Sequence, residues 1–130
     1  MQLAVPITGL YAGIQALLAI FLAFQVGQLR GKLGVSLGDG SNAVLNVAVR
    51  RHGNWAEHVP FALLLMGLLE LNGGGTMLLH GLGIALTLGR IAHPLGLRSD
   101  KLSTPQRIAG AGLTVLVTLV AAVALIVKAL

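Results

Sequence analysis

A cluster of polar and ionisable residues occupies the middle of an otherwise apolar chain. Successive residues of a helix are about 100° apart, so Arg50, Asn54 and Glu57 would share one helix face. Guanidinium groups bind carboxylates and a carboxylate binds an amine, so this face is suited to a small zwitterionic or polyanionic ligand. The same residues could instead form an ion pair that holds helices together, with Asn54 as an interhelical contact.

The four histidines do not have the spacing of a metal site. His52 and His58 would lie about 120° apart on a helix, which does not suit one ion. The chain contains no cysteine, which removes thiolate ligands and a protein thiol nucleophile. We therefore predict no metal. The basic residues are few and scattered, so we also predict no nucleic-acid partner.

The composition predicts a membrane protein. Of 130 residues, 55% are hydrophobic and 10% are charged, and the mean hydropathy is +0.87. A typical soluble domain carries about 25% charged residues, which keep its surface hydrated. A soluble monomer and a disordered chain are therefore excluded, and the length fits one domain over residues 1–130.

The elements that carry the polar cluster are predicted to be four transmembrane helices in an all-α bundle. The first helix contains no charge, and its first basic residue, Arg30, follows it, whereas a signal peptide begins with basic residues. Ser41 is the expected N-cap of the second helix, and Pro105 suits the first position of the fourth. The predicted helices cover residues 3–29, 42–71, 76–94 and 105–128.

The basic residues predict the topology. The second loop has none, whereas six lie in or beside the first and third loops. The positive-inside rule therefore predicts that loops one and three are cytoplasmic and that both termini lie on the opposite side. The six residues are Arg30, Lys32, Arg90, Arg98, Lys101 and Arg107.

Small residues at four-residue spacing are candidate helix contacts, because they let two backbones approach closely. The three rows are Gly9 and Gly13; Gly81, Ala85 and Gly89; and Gly110, Thr114 and Thr118.

Two motifs resemble those of the MAPEG family, the membrane-associated proteins in eicosanoid and glutathione metabolism. The first is Arg50-x-His52-x-Asn54-x-x-Glu57-x-x-Pro60, on the second helix. The second runs from Arg90 through His93 to Gly96 and is similar to the family's Arg-x-x-His/Tyr-x-x-Gly pattern. The number of helices and the order of loops agree, so the resemblance covers nearly the whole chain. It is greatest to the bacterial branch, which implies a multi-pass protein of the inner membrane.

This resemblance implies a homotrimer whose active sites lie between neighbouring subunits, open to the cytoplasmic side. Its function would be that of an integral membrane glutathione-dependent transferase or peroxidase, with glutathione as co-substrate and a lipophilic second substrate from among the membrane lipids. The residues that the resemblance assigns to glutathione binding are Arg30, Arg50, His52, Asn54, Glu57, His58, Arg90 and His93.

The resemblance also implies an arginine that activates the thiol near the start of the fourth helix. Arg107 is the best match, and Arg98 is its rival. Lowering the pKa of a free thiol from about 8.5 to about 6.5 requires about 2.7 kcal/mol. One charge-assisted hydrogen bond contributes about 1.5–3 kcal/mol, so a single arginine is sufficient. The thiolate would then attack an electrophile or reduce a hydroperoxide dissolved in the bilayer.

Two other functions remain open from the sequence. The first is a non-catalytic membrane scaffold or lipid-binding trimer of the same fold. The second is a small proton-coupled transporter, which usually needs a membrane-buried carboxylate. The first helix has none, and Glu70 is the only glutamate besides Glu57.

Overall fold

The computed structural model describes residues 3–101 and 103–130, and this part of the chain folds as four helices. The predicted all-α fold is confirmed. The helices are α1 (Pro6–Leu33), α2 (Ala43–Leu71), α3 (Thr76–Gly96) and α4 (Pro105–Ala129).

The bounds of α1 differ from the prediction at both ends. The helix begins at Pro6, whose fixed φ suits the first turn, rather than at residue 3. It ends at Leu33 rather than at residue 29, because Gly34 adopts φ 67° and its N–H closes the helix on the carbonyl of Arg30. Glycine adopts this left-handed conformation without steric cost. Arg30 therefore lies in the last turn of α1.

The prediction that Ser41 caps α2 is wrong. The cap is Asn42, whose side-chain oxygen accepts hydrogen bonds from the backbone N–H groups of Val44 and Leu45, both at 3.0 Å. Ser41 itself has a positive φ of 56° and belongs to the preceding turn. Asparagine caps helices as well as serine does, so the two adjacent candidates are not separable by residue type.

The third and fourth helices also end later than predicted. The third helix continues through Pro94 to Gly96, and the N–H of Leu97 still donates to the carbonyl of His93 at 3.0 Å. The fourth begins at Pro105 as predicted, with Thr104 as its cap, and runs to Ala129 rather than residue 128. The Thr104 hydroxyl accepts from the N–H of Arg107 and donates to the carbonyl of Gly96, which ties the two helix ends together.

Small residues bring α3 and α4 together. A Cβ at Gly89 would lie 3.0 Å from the carbonyl oxygen of Gly110, and one at Gly110 would lie 2.6 Å from the carbonyl oxygen of Gly89. These contacts confirm parts of the second and third predicted rows. A Cβ at Gly9 or Gly13 would meet nothing within 4 Å, so the first row makes no contact within the described chain.

The core lies where α2, α3 and α4 meet, with α1 packed on α2 and α3. Fully buried residues such as Val59, Met66, Leu86 and Val117 form it. All four helices also expose large apolar side chains, for example Phe24, Leu64, Ile84 and Leu119. In the described part of the chain, α1 and α4 are the two helices long and apolar enough to cross a membrane.

Two polar contacts fix α1 against its neighbours. Near its middle, the amide of Gln15 is fully buried, accepts from the indole N–H of Trp55 at 3.0 Å and donates to the hydroxyl of Thr87. At its beginning, the carboxylate of Glu70 accepts from the backbone N–H groups of Ile7 and Thr8 at 2.8 and 2.7 Å. The end of α2 therefore caps the beginning of α1.

Candidate functional site

The buried centre of the polar cluster is Arg90 on α3, which is only 2% exposed. One guanidinium nitrogen donates to the side-chain oxygen of Asn54 at 3.0 Å, and the other donates to the carbonyl of Gly110 at 3.4 Å. Its Nε is buried without a hydrogen-bond partner. A single arginine thus joins α2, α3 and α4, and one of its donors remains unsatisfied.

The exposed part of the cluster is an ion pair on α2. A guanidinium nitrogen of Arg50 lies 3.4 Å from a carboxylate oxygen of Glu57, and the two side chains are 53% and 52% exposed. The two residues lie on the face that the sequence predicts. Exposed ion pairs contribute about 0–1 kcal/mol, so separating these two charges costs little.

Histidine joins this cluster to an apolar groove. His58 lines a small cavity of about 40 Å³ with Asn54 and Arg90. It also lines a groove of about 320 Å³ that continues along α4 past Val115 and Leu119. His58 therefore lies where the small polar cavity meets the apolar groove along α4.

His93 lies on α3 beside the same cluster. It is buried, and a Cβ placed on Gly110 would lie 2.7 Å from its own Cβ, so this histidine packs directly on α4. His93, the histidine of the second motif, therefore lies beside the cluster that contains Asn54 of the first motif.

Two of the sequence-predicted residues lie apart from this cluster within one chain. Arg30 lies in the last turn of α1, where its guanidinium donates to the carbonyl of Val35 at 3.4 Å. His52 is partly buried on α2 and does not line the small cavity. The structure thus brings together Asn54, His58 and Arg90 at the small cavity, with His93 beside them. Arg50 and Glu57 do not line this cavity, and Arg50 instead lines a separate cavity of about 390 Å³ with Arg98.

The two candidate thiol-activating arginines have different surroundings. Arg98 forms two hydrogen bonds with the carboxylate of Asp100, at 2.9 and 3.0 Å, on the exposed loop between α3 and α4. The guanidinium also holds the pKa of the Asp100 carboxyl below its usual range. Arg107 is partly buried in the first turn of α4, next to the end of α3.

Some polar contacts of this region were not predicted from the sequence. Arg51 donates to the backbone carbonyl of Leu97 at 2.9 Å, which fastens α2 to the loop between α3 and α4. Every residue has a backbone carbonyl, so the residue types in the sequence do not indicate which carbonyl a side chain will bind. The pairing of Arg98 with Asp100 did have a signal, because opposite charges two residues apart in a loop are in reach of one another.

Comparison with known proteins gives the family. The sequence model of the MAPEG family matches residues 8–127. The chain is also 41% identical over 90 residues to the inner membrane protein YecN of Escherichia coli (strain K12), covering 69% of each chain. The same values hold for YecN of Escherichia coli O6:H1 (strain CFT073). The resemblance of the two helix motifs is thereby confirmed, and the chain belongs to the MAPEG family, the membrane-associated proteins in eicosanoid and glutathione metabolism.

Proposed function

We propose that this protein is an integral membrane transferase or peroxidase that binds glutathione and activates its thiol. The observation that carries the proposal is the half-exposed pair of Arg50 and Glu57, on the same helix as Asn54. Glutathione carries carboxylates and an amine, which match a guanidinium and a carboxylate on one face. Because the pair is exposed, its two charges can exchange partners at little cost.

The thiol in this proposal is activated by Arg107. The charge of Arg98 is already matched by both oxygens of Asp100, whereas the backbone of Arg107 packs against Gly96, three residues after His93 on α3. A hydrogen bond from a guanidinium stabilises a thiolate relative to the thiol. The thiolate then attacks an electrophilic carbon, or displaces the alkoxide of a hydroperoxide and becomes a sulfenic acid that a second thiol reduces to a disulfide.

The second substrate in this proposal is lipophilic. The groove of about 320 Å³ begins at His58 and continues along the apolar surface of α4. Helix α4 is long and apolar enough to cross a membrane, so an apolar molecule dissolved in the bilayer would reach the groove from its side. The groove therefore supports attack on lipophilic electrophiles or hydroperoxides.

The proposal includes a homotrimer in a bacterial inner membrane, with four spanning helices and with loops one and three cytoplasmic. Arg30 and His52 lie outside the cluster within one chain, and a neighbouring subunit would bring them to it. The exposed apolar faces of α1 and α4 are suited to contacts with lipid and with a second subunit. YecN, which matches this chain, is an inner membrane protein.

The test is to add glutathione to purified protein and to measure the ultraviolet absorbance of the thiolate. We expect a thiolate signal from the unmodified protein, and its loss in Arg50→Gln because glutathione no longer binds. Lys32→Gln is the matched control, since it removes one positive charge from the end of α1 without changing the cluster. Absence of the signal together with absence of calorimetric binding would overturn the proposal.

A non-catalytic scaffold or lipid-binding trimer is the second candidate. The bonds of Arg90 to Asn54 and Gly110 favour it, because they use the chain's own acceptors and hold three helices together. Calorimetry that detects lipid but not glutathione would support this candidate. The transporter alternative loses support, since the carboxylate of Glu70 is engaged by two backbone N–H groups of α1.

A further inference from the structure

A second cavity lies between α1, α2 and the loop that joins α3 to α4. Its volume is about 540 Å³. Its polar side chains are Gln25 and Gln28 from α1, Arg51 from α2, and Arg98, Ser99 and Asp100 from the loop. We call it the loop cavity. None of Arg50, Asn54, Glu57 or Arg107 lines it, so it goes beyond the proposed glutathione site.

The loop cavity carries one positive charge without a counter-charge. Arg98 and Asp100 neutralise one another through two hydrogen bonds. Arg51 makes no ion pair with any carboxylate in the described part of the chain. One of its guanidinium nitrogens donates to the carbonyl of Leu97, but its Nε is buried without a hydrogen-bond partner. A partly buried cation that lines a cavity and has no carboxylate partner is suited to an anion, and a guanidinium in particular to a phosphate.

An apolar stripe continues from this cavity along α1. Phe21 and Phe24 precede Gln25 and Gln28 by one helical turn, and Leu17 lies a further turn away. All three apolar side chains are more than half exposed. Since α1 is a candidate membrane span, this stripe would face the acyl chains of a lipid whose headgroup lies at the cavity.

We infer that the loop cavity binds an anionic phosphate group, with Arg51 as its counter-charge and the amides of Gln25 and Gln28 as further donors. The headgroup of an acidic phospholipid and a soluble phosphate ester share this chemistry. The apolar stripe on α1 favours the lipid. A phosphate held by Arg51 from α2 and by Gln25 and Gln28 from α1 would join the two helices next to the loop.

Native mass spectrometry of the full chain in detergent micelles tests this inference, with phosphatidylglycerol, phosphatidylcholine and glycerol 3-phosphate as separate probes. We expect retention of phosphatidylglycerol. In Arg51→Gln its affinity falls at least about tenfold, because a charge-assisted hydrogen bond is lost. Arg51→Lys retains the charge but not the guanidinium, so its affinity should lie between those of the unmodified protein and Arg51→Gln. Lys32→Gln, the matched control, retains phosphatidylglycerol unchanged, because Lys32 does not line the cavity.

The outcomes distinguish a lipid headgroup from a soluble phosphate ester as the ligand, and they show when the inference fails. Binding of glycerol 3-phosphate in place of the lipid, with the same dependence on Arg51, supports the phosphate site and identifies a soluble source. The inference is overturned if neither probe binds, if Lys32→Gln weakens binding equally, or if phosphatidylcholine binds as tightly as phosphatidylglycerol. Should Arg51→Gln fail to fold, Gln25→Leu decides, since it leaves the bond from Arg51 to Leu97 in place. Binding weakened about threefold supports the site, and unchanged binding overturns it.

Discussion

At the scale of single residues, the burial of an arginine decides what it contributes to stability. Arg90→Ala removes a buried guanidinium with its hydrogen bonds to Asn54 and Gly110, and it leaves the side-chain oxygen of Asn54 without this donor. We expect a loss of about 2–4 kcal/mol in the free energy of unfolding. Arg50→Ala is the matched comparison, because its ion pair is half exposed, and it should cost at most about 1 kcal/mol. Denaturant unfolding in detergent measures both, and equal losses would contradict this account.

The pH dependence of glutathione conjugation distinguishes the two candidate thiol-activating arginines, Arg107 and Arg98. If Arg107 lowers the pKa of the bound thiol from about 8.5 to about 6.5, Arg107→Gln reduces the thiolate fraction about 25-fold at neutral pH. A lowered thiol pKa matters only below the unperturbed value, so the two proteins should converge above about pH 9. Arg98→Gln should stay within about twofold at every pH. A reversed pattern would assign the thiol to Arg98.

The residues of the cluster were predictable, but their partners were not. Arg50, Asn54 and Glu57 share a face because of spacing along one helix, which the sequence states directly. The bond from Arg90 to Asn54 joins residues on two different helices, so it depends on how α2 and α3 pack. Local periodicity carries no information about that packing.

At the scale of elements, the contact between α3 and α4 requires glycine at one position. A Cβ at Gly110 would lie 2.6 Å from the carbonyl oxygen of Gly89 and from the N–H nitrogen of His93, and neither backbone can move alone. Gly110→Ala should therefore destabilise the protein by about 1–3 kcal/mol. Gly112→Ala, in the same helix with nothing within 4 Å of its Cβ, should be neutral or stabilising by up to about 1 kcal/mol. Thermal unfolding in detergent that ranks the two alike would refute the contact.

The start of α1 depends on a carboxylate from another helix. In Glu70→Ala the N–H groups of Ile7 and Thr8 lose their acceptor, at an expected cost of about 1–2 kcal/mol. Glu70→Gln keeps one acceptor oxygen and should cost less. Hydrogen exchange should accelerate in the first turn of α1 and remain unchanged at Gly34, which closes the other end. Equal protection of the first turn in Glu70→Ala and in the unmodified protein would contradict a capping role.

Helix existence was predictable here, whereas exact helix ends were not. Strong local signals mark the starts of α3 and α4, because a glycine run precedes α3 and Pro105 is the first residue of α4. Both helices begin where these signals predict. The end of α1 was missed because Arg30 and Lys32 suggested a loop, although basic residues also stabilise the last turn of a helix. The sequence predicts that α3 ends at Pro94, but the N–H of Leu97 continues the hydrogen bonding beyond it.

At the scale of the whole molecule, the ionisable residues are distributed unequally among the four helices. The two helices that pass as membrane spans, α1 and α4, place apolar side chains on the outside. The ionisable residues of the cluster lie on α2 and α3, which pack against each other and against α4. Helices α2 and α3 also expose large apolar side chains, so the low charged fraction of the chain reflects the apolar surface of all four helices, and its few charges mark the candidate sites.

The proposed trimer makes a prediction that no single chain can satisfy. Within one chain Arg30 donates to the carbonyl of Val35 and Arg50 pairs with Glu57, so in the proposed trimer the site combines Arg30 of one subunit with Arg50 of its neighbour. Arg30→Glu and Arg50→Glu should each abolish glutathione conjugation. Co-expression of the two variants in equal amounts should restore roughly a quarter of the sites, because random assembly pairs an intact Arg30 with a neighbour's intact Arg50 at that frequency. The conjugation rate of the purified mixture measures the recovery, and sedimentation of the same sample measures the number of subunits. Trimers without recovered activity would show that Arg30 and Arg50 act within the same subunit. Activity retained by Arg30→Glu alone would show that Arg30 takes no part in binding.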